Sequence, residues 1–138
     1  ARERAWLAEQ GITGVVSLQS DADLADLDLP WPAAQAEYAA LGITPTRVPV
    51  VDFDRADLGR NLDAAVAAIH AHVQAGRAVY IHCNAGLNRS PSALIAYLVA
   101  HLGFTLRDAW YTVCGAHDSA PYQDVMIRWA RRHGRPLR

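Results

Sequence analysis

Stretches with helical spacing alternate along the chain with short, continuous apolar runs. Leu62, Val66, Ile69 and Val73 recur at intervals of four, three and four, one face of a helix predicted over 58–75 and stopped by Gly76. The run 78–82 that follows is too short and too apolar for an amphipathic helix and reads as a buried strand. Upstream, 5–10 reads as a helix ended by Gly11, and 13–18, rich in β-branched residues, as a buried strand. Helix 33–41 closes at Gly42. The stretch 44–51 after it is strand-like but holds Pro45 and Pro49, which places it at a sheet edge or makes it irregular. Leu29, Pro30, Trp31 and Pro32 read as a loop. Three further helices are predicted over 90–102, 106–115 and 122–133. The pattern is that of an α/β domain with a small, mainly parallel central sheet flanked by helices.

With no internal repeat, linker or compositional break, all of 1–138 reads as one domain. Apolar residues make up 51% of it, enough for a substantial core and too many for a disordered chain. The net charge of −1 provides no global field for a nucleic acid or an anionic membrane, so neither is expected as a partner, and no run approaches a membrane span. All 13 basic residues are Arg, which excludes Lys Schiff-base chemistry and Lys-dependent phosphate loops. Charges segregate locally: Asp21, Asp23, Asp26 and Asp28 read as a solvated loop, and Arg128, Arg131, Arg132, Arg135 and Arg138 as a solvated last helix and tail. Two cysteines are too few for a disulfide framework, and no signal-like segment opens the chain. A reducing compartment is the expectation, the cytoplasm or, with a transit peptide removed, a plastid.

The chemistry lies in the string His82-Cys83-Asn84-Ala85-Gly86-Leu87-Asn88-Arg89-Ser90-Pro91, between a predicted strand and a predicted helix. A strand, a tight loop and a helix N-terminus form an anion site, because successive backbone N–H groups can converge on one tetrahedral anion. Gly86 allows the close approach or positive φ that such a loop needs. Arg89, six residues after Cys83, can return to the mouth of the loop and offer a planar fork to two phosphate oxygens. Cys83, at the helix N-terminus and near Arg89, is expected as a thiolate, an in-line nucleophile toward a bound phosphate. The competing readings of Cys83 are a buried structural thiol and a zinc ligand with His82, Cys114 and His117. Neighbouring strand residues point to opposite faces, so His82 and Cys83 make poor joint ligands, and no metal is expected. His70, His72 and His101 are assigned no function. An acid must protonate the departing oxygen, and Asp52 and Asp54 at the end of the second strand rank nearly equally for that task.

These motifs resemble the cysteine-dependent dual-specificity phosphatases, with their His-Cys-x5-Arg-Ser/Thr signature and upstream acid loop, over nearly the whole chain from Trp6 to Trp129. The resemblance implies their protein-tyrosine-phosphatase-like fold. It implies Cys83 as the nucleophile that forms a phosphocysteine, Arg89 as the phosphate clamp, Asp52 as acid and then base, and Ser90 as the stabiliser of the leaving thiolate. No cofactor is implied. Within that superfamily the chain is most similar to the glucan phosphatases, the plant starch phosphatases and laforin. The likeness rests on Leu18-Gln19-Ser20-Asp21-Ala22-Asp23, on Asp52-Phe53-Asp54, which favours Asp52 as the acid, and on Cys83-Asn84-Ala85-Gly86-Leu87. Asn88 departs from that pattern, which has Gly there, and protein-directed members share Cys-Asn-Ala-Gly. The implied substrate is a phosphorylated α-glucan, starch or glycogen, with a phosphoprotein as the alternative and a non-catalytic phosphate or glucan binder as a third reading. Phe53, Trp31 and Tyr122 are the candidate aromatic faces for sugar rings. A carbohydrate-binding module of the laforin type does not occur in these residues, and the domain is expected to act as a monomer.

Overall fold

The computed structural model describes residues 2–84 and 86–138. Ala85, expected in the phosphate loop, lies outside the described residues. The elements in chain order are α1 (Arg2–Glu9), β1 (Gly14–Ser17), α2 (Asp21–Asp26), α3 (Trp31–Ala40), β2 (Thr44–Arg47), α4 (Arg55–Gln74), β3 (Val79–His82), α5 (Arg89–Leu102), α6 (Leu106–Ala116) and α7 (Gln123–Arg132).

The strands form one parallel sheet in the order β2-β1-β3. Central β1 is buried throughout, and successive side chains separate the two faces of the sheet. Val15 joins Leu7, Ala34, Tyr38 and Ile43 under α1 and α3, whereas Val16 packs into the larger core made with α4 to α7, among them Leu62, Ile95, Met126 and Trp129. Ser17 is level with both Arg47 and His82. The carboxyl ends of all three strands are therefore flush, and the loops that leave them meet on one rim, the usual position for a site in an open parallel sheet.

The sheet of parallel strands and the edge position of β2 agree with the pattern of the sequence, and Pro45 sits where no second partner needs its missing N–H. Three expectations are corrected. The stretch 29–32 is not wholly a loop: α3 begins at Trp31 with Pro32 in its first turn, where a backbone N–H has no helical partner. The acidic stretch is not a solvated loop: Ser20 and Asp23 form a reciprocal capping box that starts α2, and Asp23 is buried. Strand β3 is an edge rather than a fully buried strand, and Tyr80 is exposed. Of the histidines given no task, His72 is buried, with Nε2 hydrogen-bonded to Thr46 Oγ1 at 2.9 Å, and His70 stacks on His101 at 3.8 Å.

Candidate active site

Cys83 leaves the carboxyl end of β3 and is buried, and its Sγ lies 3.4 Å from Ser90 Oγ in the first turn of α5. The loop between them is braced from outside. His117 donates from Nε2 to Gly86 O at 2.9 Å, and the Ala120 amide donates to Leu87 O at 2.6 Å. In a planar trans peptide the N–H points opposite to the C=O, so these contacts turn the Leu87 and Asn88 amides away from the 117–120 segment. Gly86 has φ +70°, and a Cβ there would stand 3.2 Å from His117 Nε2, so both conformation and space call for glycine. Asn88 caps α5, its carbonyl accepting from the Ser92 amide at 2.9 Å. Burial pushes the His82 imidazole below its ordinary pKa, opposed by a hydrogen bond to the Cys83 backbone.

Arg89 is the first residue of α5, and only 2% of its side chain is exposed. Its Nη1 donates to Asp23 Oδ2 at 2.5 Å and to Val50 O at 2.9 Å. Its Nε faces Asp52 Oδ1 at 3.4 Å. The β2–α4 loop thus carries Asp52 past the end of the central strand β1, which lies between β2 and β3, to the guanidinium at the start of α5. Asp54 is engaged elsewhere: it is the N-cap of α4, and its Oδ1 accepts from the Asp57 amide at 2.9 Å. Asp57 in turn fixes the β2–α4 loop by accepting from the Val51 amide at 2.7 Å, a bond that holds its carboxyl below the ordinary value.

The three candidate aromatics are placed differently. Phe53 follows Asp52 with 85% of its surface exposed, and its φ of +60° is a strained conformation for a side-chain-bearing residue. Trp31 lines a cleft of about 480 Å3 that also reaches Cys83 and Asn84, and Arg47 covers the Trp31 ring at 6.0 Å. Tyr122 packs against the core with the Arg55 guanidinium, from the start of α4, 4.0 Å above its ring and lies outside that cleft. Trp6 and Tyr80 line the same cleft. The sequence reading missed them, because residues on an assumed first helix and an assumed buried strand carry no mark of an open groove. Cys114 is a free thiol, as is Cys83.

The model of the dual specificity phosphatase catalytic domain matches residues 2–131. The chain belongs to this family. Human dual specificity phosphatase 28 is 38% identical over 81 residues, 59% of this chain and 46% of that protein. Mouse laforin is 29% identical over 114 residues, 76% of this chain and 34% of laforin. Rat dual specificity protein phosphatase 12 is 32% identical over 105 residues, 76% of this chain and 28% of its own length. The chain thus spans less than half the length of these curated relatives. Among solved structures, Tk-PTP in its active form superposes with a TM-score of 0.76 at 26% identity, covering 95% of this chain and 83% of that one. Human DUSP28 follows at 0.73 and 29%, covering 95% and 82%. The dual-specificity phosphatase fold implied by the resemblance is the fold found. The finer likeness to glucan phosphatases is carried among these relatives by laforin alone.

Proposed function

We propose that this dual-specificity phosphatase domain hydrolyses phosphate monoesters through a phosphocysteine intermediate. The observation that supports this is the first turn of α5, whose adjacent residues face two ways on one rim of the sheet: Ser90 Oγ lies 3.4 Å from Cys83 Sγ, and Arg89 Nε lies 3.4 Å from Asp52 Oδ1. In the first step the Cys83 sulfur attacks phosphorus, an S–P bond forms, and the P–O bond to the leaving group breaks as Asp52 gives that oxygen its proton. The Leu87 and Asn88 amides and the Arg89 fork hold the three non-bridging oxygens, where negative charge accumulates. In the second step Asp52 takes a proton from water, the water oxygen bonds to phosphorus, and the S–P bond breaks. Ser90 then donates its hydroxyl to the departing thiolate, across the 3.4 Å separation seen here. His82, Asn84, Gly86, Leu87 and Asn88 form the loop, with Ala85 between them in sequence. No step calls for a metal or cofactor.

Phosphorylated α-glucan is our reading of the substrate. It is supported by the exposed Phe53 ring beside Asp52, by Trp31 in the cleft that reaches Cys83, and by the similarity to laforin. Phosphoprotein is the second reading, supported by the similarity to dual specificity protein phosphatase 12. The deciding experiment compares phosphate release from phosphorylated amylopectin with release from a phosphotyrosine peptide, with Cys83→Ser as the blank. The glucan reading requires the higher kcat/KM on amylopectin, and equal or better turnover of the peptide overturns it. Absence of Cys83-dependent release from either substrate and from an activated aryl phosphate overturns the hydrolase reading itself.

A further inference from the structure

Two side chains, Gln19 between β1 and α2 and Asp23 in the first turn of α2, touch the segment from Asn84 to Arg89, and no catalytic step has been given to either. Gln19 is buried and donates from Nε2 to Asn84 Oδ1 at 2.8 Å, while its Oε1 accepts from Ser17 Oγ at 3.2 Å. Asp23, 7% exposed, accepts from Arg89 Nη1 at 2.5 Å. The corner therefore touches the loop at both ends, one residue after Cys83 and at Arg89.

We propose that Gln19 and Asp23 are positioning residues that hold the phosphate loop and aim the Arg89 guanidinium, and are not glucan contacts. This inference rests on the phosphatase reading above. A guanidinium has one Nε and two Nη groups in a rigid plane, so fixing Nη1 fixes the direction of the others. Nη1 is consumed by Asp23 Oδ2 and Val50 O. The edge made by Nε and Nη2 is left for the anion, and Nε is the atom that looks toward Asp52. Asp23 is itself held: the Ser20 amide donates to its Oδ2 at 2.9 Å, and its own amide donates to Ser20 Oγ at 3.2 Å. In the six-residue α2 only Asp23 and Leu24 are buried, so the inward face of the helix presents one carboxylate.

The electrostatics agree with this role. Burial pushes the Asp23 carboxyl up, but the hydrogen bond from Arg89 and that from the Ser20 amide outweigh it and leave the group below its ordinary value. A nearly inaccessible guanidinium without a counter-charge would be costly, and Asp23 provides one. Arg47 extends the brace, donating to Gln19 O at 3.0 Å and to Asp21 Oδ1 at 2.7 Å. The Leu18-Gln19-Ser20-Asp21-Ala22-Asp23 string therefore serves any phosphate monoester. It ceases to argue for a sugar polymer, and the glucan reading is left to stand on its aromatic rim and on laforin.

The test compares a small aryl phosphate with phosphorylated amylopectin on Asp23→Asn, Asp23→Glu and Gln19→Ala. The expected result is a fall in kcat/KM of about 10²-fold for Asp23→Asn, equal on both substrates, with Asp23→Glu recovering most of it. Gln19→Ala should also lose activity equally on both, by a smaller factor. Competition by inorganic phosphate should weaken in parallel, while urea unfolding shows each variant folded. Losses confined to amylopectin would make the string a substrate contact and overturn the proposal, as would an unchanged kcat/KM on aryl phosphate. Calorimetric binding of inorganic phosphate needs no turnover. If the wild-type domain proves unable to hydrolyse, binding that is unaltered in Asp23→Asn overturns the proposal and binding that is weakened supports it.

Discussion

Asp52 and Asp54 are two residues apart and chemically identical, yet the structure gives them different surroundings. One faces Arg89 and the other caps a helix. Asp52→Ala should therefore slow release of poorly activated alkoxides by roughly 10² to 10⁴-fold and release of an activated aryl oxide far less, since only the former needs a proton. A kinetic series over leaving groups reads this directly, and an equal loss across the series would remove Asp52 from the acid role. Phe53 invites a second substitution. Its left-handed backbone is strained, so Phe53→Gly should raise stability by about 1 kcal/mol in urea unfolding. It should also weaken binding of a glucan chain, because the exposed ring is lost. A gain in stability with an unchanged KM for amylopectin would leave the ring no part in substrate binding. Both candidate carboxylates were legible in the sequence, ranked nearly equally, with only the resemblance favouring Asp52. The division of labour was not, because it depends on which carboxylate a neighbouring loop meets.

Among the elements, α4 shows how a boundary sets a site. Its helix begins three residues earlier than the apolar spacing predicts, at Arg55, because Asp54 caps it and its first turn is polar. Asp54→Ala should cost about 1 kcal/mol of stability and leave the leaving-group dependence intact. The acid role would pass to Asp54 if instead the alkoxide reaction alone collapsed. Helix α2 was missed for a related reason. Its apolar face is a single Leu24, too little for a periodic signal, although Ser20 followed by Asp23 was a readable capping box. The element that supports Arg89 thus looked like a run of solvated charge. Strand β3 was read correctly as a strand and wrongly as buried, since an apolar run states what a segment can bury and not how many neighbours it receives.

For the whole molecule, the groups withdrawn from water set the response to pH. His72 and His82 are held below the ordinary imidazole value, chiefly by burial. In the interval between folded and unfolded values the unfolded chain binds more protons, so stability is full above about pH 6.5 and falls as pH drops below it. A second decline belongs near and below about pH 4, where Asp23 and Asp57, both held below their ordinary value, lose their favourable contacts as they take up protons. Unfolding midpoints measured from pH 8 to pH 3 should show both steps, and a flat profile between pH 8 and pH 5 would contradict the first.

The alternation of helices and strands, the string from Cys83 to Arg89 set between a strand and a helix, and the absence of lysine could all be read along the chain. These are local properties, written in spacing and in residue type. That Asp52 rather than Asp54 faces Arg89, that Asp23 is its buried counter-charge, and that His117 and Ala120 brace the loop came from the packing of distant segments. Each of these joins segments more than 25 residues apart, the first two through the flush ends of the parallel strands and the brace through the α6–α7 connection, and a register between strands is not written in either strand alone.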